Sequence, residues 1–418
     1  MIEGFPEICP EEIHTYKRRN MRNIVLFDLP EVHCACLPIT FTRAVSDVRV
    51  GILTIKEKWQ HYVAGDYTAL TAGYLAVKYP AVPDEALFIA GNLCPDAGLV
   101  AAIGSLVSGE ALVDADGGLL AFLGTCSDFE ARHFLKSTVY KEECIRINAS
   151  YDIFRENGRE MEKDFRLLTT GRVSCPLPDS CRLVGDATFP DGTPKLFIEE
   201  GAKLECVILN VNNGPVYIGR DAEIMEGVCI RAPFAACTHA TVNMNAKIYG
   251  ATTLGPYCKV GGELSNVVML AYSNKGHDGY LGNAVIGEWC NLGADTNCSN
   301  LKNNYAEIKL WDYASHRFKA TGMQFCGLLM GDHSRSGINT MFNTATVVGV
   351  GANIYGPGFP RTVIDSFVQG GAEGFKEVPV SRVIEMAERM MARRGKKLSD
   401  AERQILQSLF DKPYPHQA

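Results

Sequence analysis

The 418-residue sequence predicts an α/β domain, then a parallel β-helix, then closing helices. Three observations carry that reading. A six-residue beat begins at Ile218, apolar strand-like runs alternate with helical patterns ahead of it, and two amphipathic patterns follow it.

The beat is the strongest of the three. Every sixth residue from Ile218 is Ile224, Ile230, Ala236, Val242, Ile248, Leu254 and Val260. Four places on from each stand mostly small or apolar residues: Ala222, Val228, Phe234, Ala240, Ala246, Thr252, Cys258 and Leu264. The beat returns at Ile286, Leu292 and Cys298, and again at Met330, Ser336, Phe342, Val348 and Ile354. A period of six matches neither the 3.6 of a helix nor the 2 of an ordinary strand. It matches a parallel β-helix, in which three hexads make one triangular coil and stacked coils align their inward residues in columns.

In chain order, residues 1–20 read as a polar extension, and Met21 stands directly before a first strand as an alternative start. Residues 21–170 form the α/β domain. Strands are expected at Asn23–Leu29 and Ala86–Asn92, and helical spacing runs from Pro95, over 127–135 and over 149–168. Glu110–Leu123 reads as a hairpin turning at Asp116-Gly117-Gly118, where glycine supplies the positive φ. Residues 171–197, rich in Gly, Pro, Asp and Ser, lead into a β-helix over 198–373. Residues 374–418 carry the closing helices. Val380–Arg394 has an apolar stripe that includes Met386, Met390 and Met391, read as a packing face over the end of the stack. Ser399 with Glu402 forms the sequence signature of a capping box.

Composition narrows the function classes. The net charge of −7 argues against nucleic acid as the main partner. No apolar run approaches the roughly 20 residues that span a bilayer, and the charged N-terminus is no signal peptide. The expected location is cytoplasmic. The 15 cysteines are scattered without zinc-site spacing, so most read as small buried hydrophobes.

Chemistry shows where the beat lapses, between Leu264 and Ile286 and between Cys298 and Met330. Both lapses read as loops thrown out of the stack, the usual place for function on a rigid scaffold. The first holds Lys275, Gly276, His277, Asp278, Gly279 and Tyr280. A histidine between two nearby glycines suits a tight turn that opens its imidazole to a cleft, and imidazole is the natural general base near neutrality. Farther upstream, Arg43, Arg49, Lys56 and Lys58 are spaced to gather positive charge for phosphates. Asp28 and Asp47 stand as candidate Mg²⁺ ligands, since Mg²⁺ takes one or two carboxylates plus phosphates.

The run GHDGYLGNAVIGEWCNLGADTNCSN, residues 276–300, resembles the acetyltransferase signature of GlmU-type enzymes. These join a sugar-1-phosphate nucleotidyltransferase domain to a left-handed β-helix. By that resemblance His277 matches the catalytic base, Tyr280 and Asn291 match sugar-phosphate contacts, and Lys275 is a looser match to a phosphate-binding cation. Ala294 matches a backbone N–H donor to the thioester carbonyl, and Asn300 lies on the acetyl-CoA side. The family's Tyr-Asp-Gly after the last Asn is replaced by Leu301-Lys302-Asn303. The Gly-rich nucleotide loop expected after the first strand is absent, and LPITFTRAVSDVRVGILTIKEKW (37–59) resembles the segment just past it. YDIFRENGREMEKDF (151–165) and GDHSRSGINTMFN (331–343) resemble a variant GlmU-like group of Bacteroidetes-type bacteria.

The resemblance implies a cytoplasmic homotrimer that works on small molecules: a sugar phosphate, a nucleoside triphosphate with Mg²⁺, and acetyl-CoA. The implied product is a nucleotide sugar of the UDP-N-acetylglucosamine type, and the acyl site is expected between neighbouring chains. Two other readings stand beside it. One is a UTP- or TTP-using nucleotidyltransferase whose β-helix only oligomerises or regulates. The other is a γ-carbonic-anhydrase-like metalloenzyme drawing on His239, His277, His316 or His333.

Overall fold

The computed structural model describes residues 22–412, so the 1–20 extension and the Met21 start lie outside the described residues. The chain divides into two compact units. The first comprises residues up to His33, Ala44–Asp47 and Leu53–Ile147; the second comprises Cys34–Arg43, Val48–Ile52 and residues from Asn148 on.

The first unit is a six-stranded sheet, made of β1 (Arg22–Phe27), β2 (Gly65–Leu70), β3 (Glu85–Ala90), β4 (Glu110–Val113), β5 (Leu119–Thr125) and β6 (Lys136–Val139). Its order is β2-β1-β3-β5-β4-β6. β1 runs parallel to both β2 and β3, whereas β5 is antiparallel to β3 and β4. A central parallel strand is covered on both faces and so reads as a continuous apolar run. Ile24, Val25 and Leu26 are accordingly fully buried. The Glu110–Leu123 hairpin forms as expected. Asp114 Oδ1 accepts the Asp116 and Gly118 N–H groups at 2.9 and 2.7 Å, and Gly117 takes φ +83°. β2 went unread because its sequence, GDYTAL, lacks an apolar run.

Among the described residues, the α/β part of the chain carries the helices α1 (Pro30–Ala35), α2 (Ile55–Tyr62), α3 (Ala97–Gly104) and α4 (Cys126–Ala131). A fifth, α5 (Asp152–Thr169), falls in the second unit, although the sequence groups it with the α/β domain. Its Met161 and Phe165 pack with Phe189, Phe197 and Ala235. Its Asn157 accepts the Gly51 N–H at 2.8 Å and donates to the Ala251 carbonyl at 2.8 Å. Apolar packing and paired buried amides together make α5 a buttress of the β-helix.

The β-helix follows the hexads. Each leading residue from Ile218 to Val260, and each residue four places on from Ala222 to Leu264, is buried. In the parallel ladders Ile224 pairs with Val242 and Val242 with Val260, a step of three hexads per coil. Each fully buried Ile or Val contributes roughly 1.5–3 kcal/mol through removal from water. One corner places Asp221, His239, Tyr257, Tyr272 and Trp289 at positive φ, which costs a non-glycine residue about 1–2 kcal/mol. There His239, Tyr257, Tyr272 and Trp289 stack ring on ring, with centroids 4.6, 5.1 and 4.2 Å apart. Each such contact contributes about 0.5–1.5 kcal/mol, enough to offset much of the backbone cost.

One expectation is corrected here. The Leu264–Ile286 segment is not a loop thrown out of the stack. The strand Glu263–Ala271 pairs Leu264 with Ile248 and Met269 with Leu254, and the next register pairs Lys275 with Val260. The segment is a coil with trimmed corners, so the ladder continues while the count of six slips. The second lapse is a true insertion, an antiparallel hairpin of Lys309–Asp312 and Arg317–Ala320. Two helices close the chain, α6 (Val380–Ala392) and α7 (Asp400–Asp411), and α7 carries the full Ser399/Glu402 capping box.

Candidate active sites

In the first unit, strand order reverses about β1, which puts the crevice at the carboxyl ends of β1 and β3. Asp28 follows β1 there. Its side chain is buried; it accepts the Thr71 hydroxyl at 2.5 Å and the Val45 N–H at 3.1 Å, and lies 2.9 Å from His33 Nδ1. Asp47 pairs with Lys56 at 2.6 Å and accepts the Tyr79 hydroxyl at 2.7 Å. Burial pushes the Asp47 carboxyl up, but the Lys56 ammonium overrides it and holds the group below its ordinary value. Both candidate Mg²⁺ ligands are thus filled by protein donors. Among the described residues no three His, Cys, Asp or Glu side chains gather into a metal set. The residues present do not fit a resident Mg²⁺.

The four cations read as one cluster belong to different units. Lys56 and Lys58 lie on α2 of the first, where Lys58 is buried. Arg43 and Arg49 belong to the second and are buried. Arg43 grips Asp332 through two nitrogens, at 2.5 and 3.1 Å, and donates to the Ile39 carbonyl at 2.9 Å. Arg49 donates to the carbonyls of Leu270, at 3.2 Å, and Ile52. Sequence spacing could not show that these guanidinium groups end on internal acceptors.

The second unit holds a groove of about 1120 Å³ between one β-helix face and α6. The β-helix side presents His277, Asn291 and Ala294, three of the residues singled out from the sequence. The His277 side chain is exposed, and its ring makes no hydrogen bond or ion pair among the described residues. Among the described residues the Ala294 N–H also finds no acceptor, while its carbonyl accepts the Asn339 N–H at 2.8 Å. Tyr280 and Asn300 do not line the groove. They meet each other at 3.0 Å, and Asn300 also donates to Asn283 at 2.8 Å. Lys275 is fully buried and outside the lining.

What the sequence reading missed is the wall opposite. Lys259 and Arg335 flank the groove floor, and α6 with its C-terminal extension contributes Arg389, Arg393 and Arg394. Among the described residues no carboxylate lines the groove. Arg335 has no ion-pair partner among the described residues. It donates to the Met386 sulfur at 3.1 Å, and burial pulls its guanidinium below the ordinary arginine value. The Met stripe therefore splits its duties: Met391 packs inward while Met386 and Met390 line the groove. The available signal was the basic run Arg393-Arg394-Gly395-Lys396-Lys397 that ends the helix. Arg389 pairs with Glu385, but Lys259, Arg335, Arg393 and Arg394 have no ion-pair partner among the described residues, and such a groove in a chain of net charge −7 suits a polyanion. Beside a free imidazole and a free backbone N–H, it can place an anionic donor for general-base transfer.

Residues 24–173 match the family model for sugar nucleotidyl transferase. A bifunctional sugar-1-phosphate nucleotidylyltransferase/acetyltransferase from Sulfurisphaera tokodaii is 32% identical over 165 residues, which is 39% of this chain and 39% of that protein. The matched stretch thus spans well under half of the relative's length. A solved N-acyltransferase from Bacillus cereus, a mutant of AntD in complex with dTDP and coenzyme A, covers 47% of this chain and 89% of its own. It shares 10% identity at a TM-score of 0.22, and at that score the likeness carries no argument. The likeness to known transferases thus rests on the α/β half of the chain, a sugar nucleotidyl transferase-like domain that is followed by the β-helix.

Proposed function

We propose that the chain makes a nucleotide sugar in two steps at two sites. In the β-helix groove, the amine of a hexosamine-1-phosphate attacks the carbonyl carbon of acetyl-CoA. His277 takes the amine proton, a C–N bond forms, the C–S bond breaks, and the coenzyme A thiolate leaves to be protonated. The Ala294 N–H stands as donor to the developing oxyanion, a role typically worth about 3 kcal/mol. At the carboxyl ends of β1 and β3, the sugar-1-phosphate oxygen attacks the α-phosphorus of a nucleoside triphosphate and pyrophosphate departs. The UDP-N-acetylglucosamine-type product belongs to this reading.

The observation that carries it is the groove itself, with five cationic side chains, no carboxylate among the described residues, and His277 on its floor. A β-helix serving only oligomerisation has no need of an arginine such as Arg335 facing a cleft with no ion-pair partner among the described residues. The metalloenzyme reading draws no support from its histidines. Among the described residues no three His, Cys, Asp or Glu side chains gather into a metal set.

The test is to supply hexosamine-1-phosphates with acetyl-CoA and measure free thiol, and separately to supply nucleoside triphosphates and measure pyrophosphate. Thiol release dependent on the amino sugar is expected. Pyrophosphate release alone would return the β-helix to a non-catalytic role. In the same assay Arg335→Met should raise KM for acetyl-CoA by roughly tenfold or more, the worth of one charge-assisted hydrogen bond.

Three chains packed about a threefold axis complete the proposal. Along the β-helix Met244 (62% exposed), Ile338 (72%) and Tyr355 (47%) remain open to solvent, and Ile338 borders the groove. Light scattering at micromolar concentration is expected to give the trimer mass, and a monomer would remove the inter-chain acyl site.

A further inference from the structure

Lys275 occupies a place that the hexads reserve for apolar side chains. In its column Ile224 pairs with Val242, Val242 with Val260, and Val260 with Lys275. The residue is 0% exposed. A methionine or leucine there would fill the stack as its neighbours do, without the cost of burying an ammonium group.

The ammonium has three acceptors, all of them backbone. Nζ donates to the His277 carbonyl at 2.8 Å, to the Asp278 carbonyl at 3.0 Å, and lies 3.5 Å from the Gly261 carbonyl. From the adjacent coil, Asn243 Nδ2 donates to the Gly276 carbonyl at 2.6 Å. The carbonyls of residues 276, 277 and 278 are therefore each tied to a donor on the body of the β-helix. The imidazole of His277 has no side chain to orient it, so the turn alone decides where the ring stands. Asp278 and Asp295 are the charged groups near the ammonium, and both favour its protonated form, but burial outweighs them and pulls the amine down to about 8.

We propose that Lys275 is a positioning residue, a strut inside the β-helix that, with Asn243, fixes the 276–278 turn and thereby sets the His277 imidazole in the groove. This rests on the acyl-transfer reading for its kinetic consequences, though not for its structural ones. It also replaces the expectation that Lys275 touches the sugar phosphate.

The test compares Lys275→Met and Asn243→Ala with the wild-type full-length chain. Misplacing a catalytic group by about 1 Å costs on the order of 10²-fold. The Met variant should therefore lose roughly 100-fold in kcat with KM for the sugar phosphate little changed, and Asn243→Ala should lose less. A raised KM at unchanged kcat would assign Lys275 to substrate contact and overturn the strut. The second readout is independent of activity: histidine-selective NMR, with the His277 signal assigned by its loss in His277→Ala. That signal should broaden or move in both variants while the His239 signal stays. An unmoved His277 signal in both would overturn the proposal even if activity fell. If the wild type transfers no acyl group at all, the acyl reading fails, and the NMR comparison still decides the strut. Should Lys275→Met fail to fold, Asn243→Ala carries both readouts by itself.

Discussion

Replacing His277 by alanine is expected to lower kcat for acyl transfer by roughly 10²–10⁴-fold, the usual worth of a positioned general base. The fold should barely register the change. His277 is exposed, and substitutions at such positions usually stay within about 0.5 kcal/mol. The turn is held through its backbone carbonyls, none of which belongs to the lost side chain. KM for acetyl-CoA should change little, because proton removal belongs to the transition state and the cations that hold the donor remain. Added imidazole should restore part of the rate if the vacated space lies where the base stood. Full turnover by the alanine variant would end the assignment. A matching loss of trimer or of melting temperature would transfer the blame to the fold.

The second large effect is on stability. Asp332 is 4% exposed, and it accepts from two nitrogens of Arg43, from the Thr42 hydroxyl at 2.6 Å and from the Glu288 N–H at 2.7 Å. Breaking such a pair by removing one member typically costs about 3–5 kcal/mol, and here Arg43 would stay buried with the more distant Glu288 carboxylate, at 3.5 Å, as counter-charge. Asp332→Ala should show that loss in denaturant melts at pH 7. The loss should shrink in acid. Burial pushes the Asp332 carboxyl up, but Arg43 overrides it and holds the group below the ordinary carboxylate value. A carboxylate depressed in the folded state contributes stability that is present above its unfolded value and is lost as pH falls through the folded one. Wild type and variant should therefore converge below about pH 4. A constant gap down to pH 2 would mean that packing, and not charge, is what Asp332 provides.

The same pair shows how far the sequence could be read. GDHSRSGINTMFN marked Asp332 as part of a distinctive run, and the spacing of Arg43 marked it as a cation, but nothing linear joined two residues 289 positions apart. Arg43 consequently read as a phosphate ligand when its charge is spent inside the protein. The hexads were legible because burial on a stacked coil imposes a period that chance does not produce. The His277, Asn291 and Ala294 wall was legible because its residues lie close together in sequence and resemble a known signature. Lys275 looked like a loop cation for a physical reason. Trimmed coil corners break the count of six without breaking the ladder, so the inward column was invisible at that point. The arginine wall was hidden by distance, since Arg394 reaches Asn274 across 120 residues at 3.3 Å. An amphipathic helix with a Met stripe reports that it packs, never against what.

The groove's composition also fixes which part of the chain completes the site. The base, the free N–H and Lys259 are encoded before residue 300 and Arg335 and Ile338 follow, whereas Arg393 and Arg394 come after the last coil. A chain that ends before α6 would therefore carry the His277 imidazole, Lys259 and Arg335 but none of the three arginines of the opposite wall. The complete groove, with both its walls, thus exists only in a chain that includes α6 and the arginines that follow it.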